Sequence, residues 1–312
     1  MVAPRHWPPP LRASASFDVV CVGESSLDVM AVLRGPVPDD GKAALAALKV
    51  RPGGQAATVA VGCARLGRSA CFAGVLGTDA WARQVTEALE AEGVALAVRH
   101  REGVSTRAAV ILVDAQTGRR AVLEYREPAL SWRPDELPLD VVRDARILAL
   151  DATDVASALV LARAARDAGV VTVLDADRDG ADVAELRAAV DIVVMPEAVA
   201  REVGHGDVEA GLARVRRDSG VAMAVATLGP RGSVALVGDH AIRTPALDVP
   251  VVDTTGAGDA FRAGLMTAWL ETPDRPDPER LLRMANTVAG LNCRALGAQT
   301  GLPAMAEVMA AQ

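Results

Sequence analysis

The residues whose types and spacing could do chemistry lie in the stretch Val251-Val252-Asp253-Thr254-Thr255-Gly256-Ala257-Gly258-Asp259-Ala260-Phe261. Apolar residues lead into a turn of Thr, Gly and Ala, and the apolar run from 260 to 270 predicts a helix after it. The first amide N–H groups of a helix lack intrahelical acceptors and attract anions. Glycines also let the backbone approach a bound group closely. The turn therefore predicts a phosphate site.

Asp259 is an unexpected neighbour for a phosphate, because a carboxylate repels an anion. One function that explains it is removal of a proton from a hydroxyl that attacks the phosphate. A favourable acid in the first turn of a helix explains it equally well. The spacing alone leaves these two interpretations open.

Other candidate residues follow predicted strands. Asp28 lies just beyond an apolar strand at 17–23, where ligands of open α/β sheets bind, although a loop cap is the simpler interpretation. The pair Gly53-Gly54 precedes an Ala-rich helix, which indicates either close approach of a ligand or a tight turn. The segment 227–232 is a Gly-containing loop after another strand, and an ordinary β-turn explains it equally well.

Composition excludes several classes of function. The chain has 312 residues, a net charge of -7 and 51% hydrophobic residues, which together predict one large α/β domain with a substantial core. The acidic balance argues against nucleic acid or an anionic membrane as a partner, and no apolar run is long enough to span a bilayer. The four cysteines lack metal-ligand spacing, so we expect free thiols and a cytoplasmic location.

The order of predicted elements indicates the fold class. From residue 146, strands alternate with helices, which is typical of a doubly wound, mostly parallel sheet with helices on both faces. β-rich segments at about 29–50 and 104–125 predict a small additional sheet over a cleft. We expect residues 1–16 to be a disordered tail and residues 17–312 to be the α/β domain.

Several separated segments together resemble the ribokinase-like (PfkB) carbohydrate kinases. Residues 253–261 with Gly264 closely resemble the second signature of that family, and residues 53–67 with 74–79 are similar to its first signature. The segments 23–28, 227–232 and 297–303 are similar to its sugar-binding, nucleotide-binding and C-terminal loops. The resemblance covers about residues 17–309 and implies a ribokinase-like fold, with the segments 29–50 and 104–125 as the lid.

The resemblance implies a role for each matching residue. Asp259 would be the catalytic base, and the amides of Gly256, Ala257 and Gly258 would hold the γ-phosphate of ATP. Asp28 of the sugar-binding loop would contact sugar hydroxyls, as would Gly53, Gly54 and Thr58 of the first signature. The nucleotide would contact Thr227, Gly229, Gly232 and Asn286.

Two positions depart from the family pattern. Thr58 stands where the family often has Asn, so one sugar contact changes. The metal-organising Asn-x-x-Glu motif is replaced by Glu197-Ala198-Val199-Ala200. We expect Mg²⁺ with ATP, and Glu197, or Asp175 and Asp177 through water, as the residues that order it. The resemblance also implies a K⁺ site near Asp253 and residues 297–303, and a homodimer through the lid.

Within the family, residues 119–130 and 174–178 look most like the ketohexokinase and sulfofructose-kinase branch. Arg107, Arg126 and Arg178 could meet an anionic sugar substituent, although solvated surface charges are an equal interpretation. We therefore predict ATP-dependent phosphorylation of a small sugar, either ketohexose-like or a sulfosugar. A nucleoside kinase and a sugar- or nucleotide-binding protein that has lost catalysis are the alternatives.

Overall fold

The computed structural model of the protein describes residues 5–117, 119–274 and 276–311. The strands within these ranges are β1 (Phe17–Val22), β2 (Ser26–Leu33), β3 (Ala47–Gly53), β4 (Ala70–Gly77), β5 (Ala95–Arg101), β6 (Ala108–Asp114), β7 (Arg120–Tyr125), β8 (Ala145–Leu150), β9 (Val171–Asp175), β10 (Ile192–Pro196), β11 (Met223–Thr227), β12 (Ser233–Val237) and β13 (His240–Thr244). The α-helices are α1 (Gln55–Arg65), α2 (Ala80–Ala91), α3 (Leu139–Arg143), α4 (Val155–Asp167), α5 (Ala181–Ala189), α6 (Glu197–Val203), α7 (Val208–Ser219), α8 (Ala257–Glu271), α9 (Pro278–Asn292) and α10 (Met305–Ala311).

The main sheet has the strand order β13-β12-β11-β10-β9-β8-β1-β4-β5. The strands from β11 to β5 run parallel, and the hairpin β12–β13 is added antiparallel at one edge. Because successive side chains of a strand point to opposite faces, β1 contributes to two cores. Val19 and Cys21 pack with α1, α2, α8 and α9, whereas Val20 and Val22 pack with α3 to α7. This confirms the predicted doubly wound sheet with helices on both faces.

A second sheet has the order β3-β2-β6-β7 and corresponds to the predicted lid. The first of its two segments begins at Ser26 and ends at Gly53, somewhat beyond the expected bounds. The register places Asp28 and Ile111 on one face with Val122, while Val110 and Leu123 lie on the opposite face. The first face borders the cleft described below, and the second exposes large apolar side chains.

Residues 5–16, for which the sequence predicts a disordered tail, make specific contacts with the domain. The Arg5 amide donates to the Gly220 carbonyl oxygen over 2.9 Å, and the Arg5 guanidinium forms a 3.5 Å ion pair with Asp191. The rings of Trp7 and Trp269 lie 5.2 Å apart. Aromatic packing and ion pairing therefore hold this segment against the domain, and residues 1–4 lie outside the described ranges.

The four cysteines are buried and unpaired, as expected. Among the described residues, no helix has both the length and the apolar character needed to cross a membrane.

Candidate active site

A cleft of about 430 Å³ lies between the lid and the carboxyl ends of the parallel strands. Strand ends of a parallel sheet meet at one edge, which is where ligands of such sheets bind. The main domain contributes Gly54, Asp175, Asp177, Thr227, Thr255, Gly256, Gly258 and Asp259 to its lining, and the lid contributes Asp28, Arg107, Arg120 and Glu124. The cleft thus brings Asp259 and Asp28 together, although more than 200 residues separate them in the sequence.

The turn that begins α8 is held rigidly. Gly256 has a left-handed backbone (φ 75°), and an added Cβ would lie 2.5 Å from the Ala298 carbonyl oxygen, so only glycine fits. The buried Asp253 carboxylate accepts hydrogen bonds from the Thr255 amide (2.9 Å), the Thr255 hydroxyl (2.8 Å) and the Gly297 amide (2.9 Å). These contacts fix the turn against the C-terminal loop.

The amide groups of the turn differ in availability. Gly256 and Gly258 line the cleft, whereas the Ala257 amide donates to the Thr254 carbonyl oxygen over 3.3 Å. A Cβ added at Gly258 would meet no protein atom within 4 Å. Packing within the protein therefore does not require glycine at 258, and the open side of its backbone is free for a ligand.

Asp259 lies in the first turn of α8 with its side chain only 13% exposed. Its Oδ1 pairs with the guanidinium of Arg262. Burial raises the pKa of the Asp259 carboxyl well above its usual value, and Asp151 adds to the increase by repulsion. The lid cation Arg120 opposes this shift. A carboxyl with a raised pKa at the edge of a cleft is a stronger base than an ordinary carboxylate, as a catalytic proton acceptor needs to be.

Asp28 follows β1 as expected, but it lies in lid strand β2 rather than in a loop, and its side chain lines the cleft. Its Oδ1 accepts a 2.6 Å hydrogen bond from the Ser26 hydroxyl. A Cβ added at Gly53 would lie 2.1 Å from Asp28 Oδ2. Glycine at 53 therefore leaves room for the Asp28 carboxylate, and Gly54 itself lines the cleft.

Comparison with known proteins gives the same architecture and a family. A model of the pfkB family of carbohydrate kinases matches residues 16–305. The chain is 32% identical to a fructokinase from Klebsiella pneumoniae over 81% of this chain and 89% of that protein. It is 30% identical to the Arabidopsis thaliana protein named "Probable fructokinase-6, chloroplastic" over 91% of this chain and 79% of that protein.

The chain belongs to the PfkB family of carbohydrate kinases. A solved structure of Arabidopsis thaliana ribokinase complexed with ribose and ATP superposes with a TM-score of 0.82 at 26% identity, over 95% of this chain and 98% of that one. These matches confirm the predicted family, the ribokinase-like fold and the enzyme class, an ATP-dependent carbohydrate kinase.

Two residues predicted from the PfkB resemblance lie outside the cleft of this kinase. Thr58 is fully buried in α1, where its hydroxyl accepts a 3.4 Å hydrogen bond from Nε2 of the Gln299 side chain. Asn286 is buried in α9, and its Nδ2 donates to the Thr244 hydroxyl (2.7 Å) and the Ser233 hydroxyl (3.0 Å). Both side chains face the interior and neither lines the cleft, so Thr58 as a sugar contact and Asn286 as an adenine contact stay predictions that the geometry does not support.

The predicted nucleotide loop is only partly at the cleft of this PfkB kinase. Thr227 ends β11 and lines the cleft. Gly229 and Gly232 lie in the short turn between β11 and β12, beyond the lining residues, and a Cβ at Gly232 would approach the Thr244 carbonyl oxygen to 2.0 Å. Gly232 is therefore explained by the close packing of this turn against the end of β13.

Glu197 does not fit the metal role predicted for it. Its Oε1 accepts a 2.7 Å hydrogen bond from Arg201, and its Oε2 pairs with Arg231. The hydrogen bond with Arg231 is the main reason why the pKa of Glu197 is lowered. Two guanidinium groups thus neutralise this carboxylate. In the ranges that the structure describes, no group of three His, Cys, Asp or Glu side chains is arranged to hold a metal.

Sequence reasoning missed a carboxylate at the base of the lid. Glu24 forms ion pairs with Arg107 (2.7 Å) and Arg126 (3.0 Å), and Arg107 also pairs with Glu124 (2.7 Å). Burial raises the pKa of Glu24 to about 7, against the attraction of the two arginines. Arg178, the third arginine that the sequence suggested as an anion contact, pairs with Asp182. The local sequence did not indicate the pairs of Arg107 and Arg126, because their partner Glu24 belongs to a distant segment, whereas Arg178 and Asp182 are only four residues apart.

Proposed function

We propose that the protein transfers the γ-phosphoryl group of ATP to a hydroxyl of a small neutral sugar, with Asp259 as the general base. The observation that carries the proposal is the single cleft shared by Asp259, Asp28 and the glycine turn at 256–258. Asp28 and Gly54 would bind sugar hydroxyls, since a carboxylate accepts two hydroxyl hydrogen bonds. Asp259 would remove the proton as the hydroxyl oxygen attacks phosphorus, and ADP leaves with the bridging oxygen.

The turn before α8 would stabilise the charge that develops on the transferred phosphoryl group. Preorganised amide donors are effective here because they need no reorganisation during the reaction. The fixed backbone of Gly256 and the open side of Gly258 support this role. Arg120 of the lid lines the same cleft and would add a positive charge next to the phosphate. Closure of the lid would exclude water, which otherwise competes as an acceptor.

The charge of the cleft favours a neutral, ketohexose-like sugar over a sulfosugar. Arg107, Arg126 and Arg178, which the sequence offered as anion contacts, are each paired with a carboxylate. The lining also contains five carboxylates, which are Asp28, Glu124, Asp175, Asp177 and Asp259. An anionic substituent at the sugar end would therefore meet repulsion rather than a free guanidinium. The relatives named fructokinase agree with a neutral ketose.

ATP would be bound at Thr227 and the turn before α8, with Mg²⁺ supplying charge neutralisation of the phosphates. Asp177 fits the metal better than Glu197, since it lines the cleft and its Oδ2 has a neutral partner, Nε2 of the Gln55 side chain, at 3.0 Å. Water-mediated coordination by a carboxylate suits Mg²⁺, which keeps several waters. A K⁺ ion near Asp253 and a cytoplasmic location stay predictions.

We also propose a homodimer formed through the outer face of the lid. This face exposes Leu48, Val110, Leu123 and Tyr125, each at least 42% accessible, on strands β3, β6 and β7 of the four-stranded lid sheet. A contiguous apolar face of this kind is typical of an interaction surface. A second copy of the chain is the partner that its β-strand geometry fits best, since two such sheets can pack face to face.

The experiment is a coupled assay of ADP release with fructose, other ketohexoses, aldopentoses, a sulfosugar, sugar phosphates and nucleosides. We expect the highest kcat/KM for a neutral sugar. A preference for a nucleoside would support a nucleoside kinase, and a preference for the sulfosugar would contradict the charge argument. Binding of a sugar without ADP release from any compound would support a protein that has lost catalysis.

A further inference from the structure

Arg262 occupies a position that the proposed mechanism does not use. It lies one helical turn after Asp259 on α8, and its side chain is only 5% exposed. One terminal nitrogen, Nη2, contacts Oδ1 of Asp259, and the other, Nη1, contacts Oδ2 of Asp175 at the end of β9. A planar guanidinium can hold two carboxylates in fixed directions at once, which a lysine cannot do.

A third carboxylate lies close to Arg262. Asp151, just beyond β8, is 3% exposed and accepts hydrogen bonds from the Glu24 amide (2.7 Å) and the Thr153 amide (3.1 Å). Asp151 and Arg262 both line a buried cavity of about 10 Å³, close to the volume that one water needs. Arg262 Nε is buried and has no hydrogen-bond partner among the described residues.

We propose that Arg262 is a positioning residue that keeps Asp259 in its carboxylate form and orients it, so that Oδ1 is held and Oδ2 is left to accept the substrate proton. This inference rests on the proposed role of Asp259 as the base. A buried carboxylate beside other acids would otherwise take up a proton and lose its ability to remove one. Among the described residues, Arg262 is the cation in direct contact with it.

The charged groups around Asp259 belong to several elements. The acids Asp151 after β8 and Asp28 in β2 raise the pKa of Asp259, whereas Arg120 in β7 and Arg107 before β6 lower it. Arg262 contacts Asp259 directly and joins it to Asp175 in β9. Arg262 also faces the buried Cys21 thiol. Asp175 competes with Asp259 for the same guanidinium. Removal of Arg262 should therefore raise the pKa of Asp259, and removal of the Asp175 charge should lower it.

The test is the pH profile of kcat/KM for the preferred sugar with Arg262→Met and Arg262→Lys. For Arg262→Met we expect the acid limb to move up by about 1–3 pH units, because an adjacent opposite charge lowers the pKa of an acid by this amount. Turnover at pH 7 should fall at least ~10-fold and recover as pH rises, with an unchanged KM for ATP. Arg262→Lys retains the charge and should give a smaller upward shift.

Asp175→Asn is the second variant, and it decides the question if Arg262→Met does not fold. In this variant Asp259 is the only carboxylate that pairs with Arg262 among its two present partners, so the acid limb should move to lower pH. A limb that stays at the wild-type pH in both Arg262→Lys and Asp175→Asn would overturn the inference. Failure of the proposed function is a different result, namely near-normal turnover in Asp259→Asn, which would remove the base itself.

Discussion

The guanidinium of Arg120 in lid strand β7 donates a 2.6 Å hydrogen bond to the Thr254 hydroxyl, which lies two residues before Gly256. This contact joins the lid to the segment that leads into the phosphate turn. It also holds a cation at the cleft, where Arg120 lowers the pKa of Asp259 by attraction. The lid therefore contributes charge to the site as well as a cover.

Arg120→Ala should lower kcat by ~10-fold to ~10³-fold, because cations that stabilise the charge of phosphoryl transfer have large effects on turnover. Steady-state kinetics with saturating sugar and ATP measure this change. Arg119→Ala is the matched control, since Arg119 is the exposed neighbour of Arg120 and does not line the cleft. Equal activity of the two variants would exclude a role for Arg120 in catalysis.

Gly258→Ala should reduce kcat/KM by at least ~10-fold while the free energy of unfolding stays within ~0.5 kcal/mol of wild type. The added methyl meets no atom of the surrounding protein within 4 Å and points into open space beside the phosphate turn. The alanine keeps its amide, but its methyl would hold the phosphate away from that donor, and loss of the contact with one such donor costs about 10²–10³ in rate. The control is Gly35→Ala in the lid, whose Cβ also meets nothing within 4 Å. Full activity of Gly258→Ala would show that no ligand approaches this backbone.

Asn286→Leu should destabilise the protein by about 1–3 kcal/mol, because it leaves the Thr244 carbonyl oxygen and two buried hydroxyls with fewer partners. Urea unfolding measures the change. The KM for ATP should stay within about twofold of wild type at a temperature where both proteins are folded. A large increase in KM without loss of stability would restore Asn286 as a nucleotide contact.

Leu123→Glu should convert the proposed dimer to a monomer, since it places a charge in the centre of an apolar interface. Light scattering after size-exclusion chromatography gives the mass directly. Met309→Glu on α10 is the control, because Met309 is also exposed (66%) but lies away from the lid. A wild-type mass of one chain at micromolar concentration would contradict the dimer.

Local patterns were sufficient for the fold class and for naming the candidate turn, whereas the proposed role of Asp259 came from the resemblance to a family. Gly256 and Asp259 could be identified from sequence because the turn, the anion site and the start of α8 are one continuous segment. Uniformly apolar strands such as β1 and β4 indicated a sheet covered on both faces, as the structure has it. The edge strands β5 and β13 were missed, because part-exposed strands carry a weaker pattern, and β12, which pairs with β13, was missed with it.

Contacts between distant segments could not be predicted. Asn286 and Thr58 occupy positions that match a family motif, yet each side chain faces the interior. The position of Glu197 depends on Arg231, a residue 34 positions away. Side-chain partners of this kind are set by how helices and loops pack on the sheet, which a single sequence does not specify.

The central claim is tested most directly by Asp259→Asn, with kcat measured across pH and ATP binding measured by calorimetry. The wild-type kcat/KM should rise with pH through a pKa well above 3.8, since burial raises the pKa of Asp259 and only the carboxylate accepts a proton. The variant should lose ~10²–10⁴ in kcat, the usual contribution of a positioned acid–base group, and should bind ATP as wild type does. A variant that retains near-normal turnover on the preferred sugar would show that Asp259 is not the base.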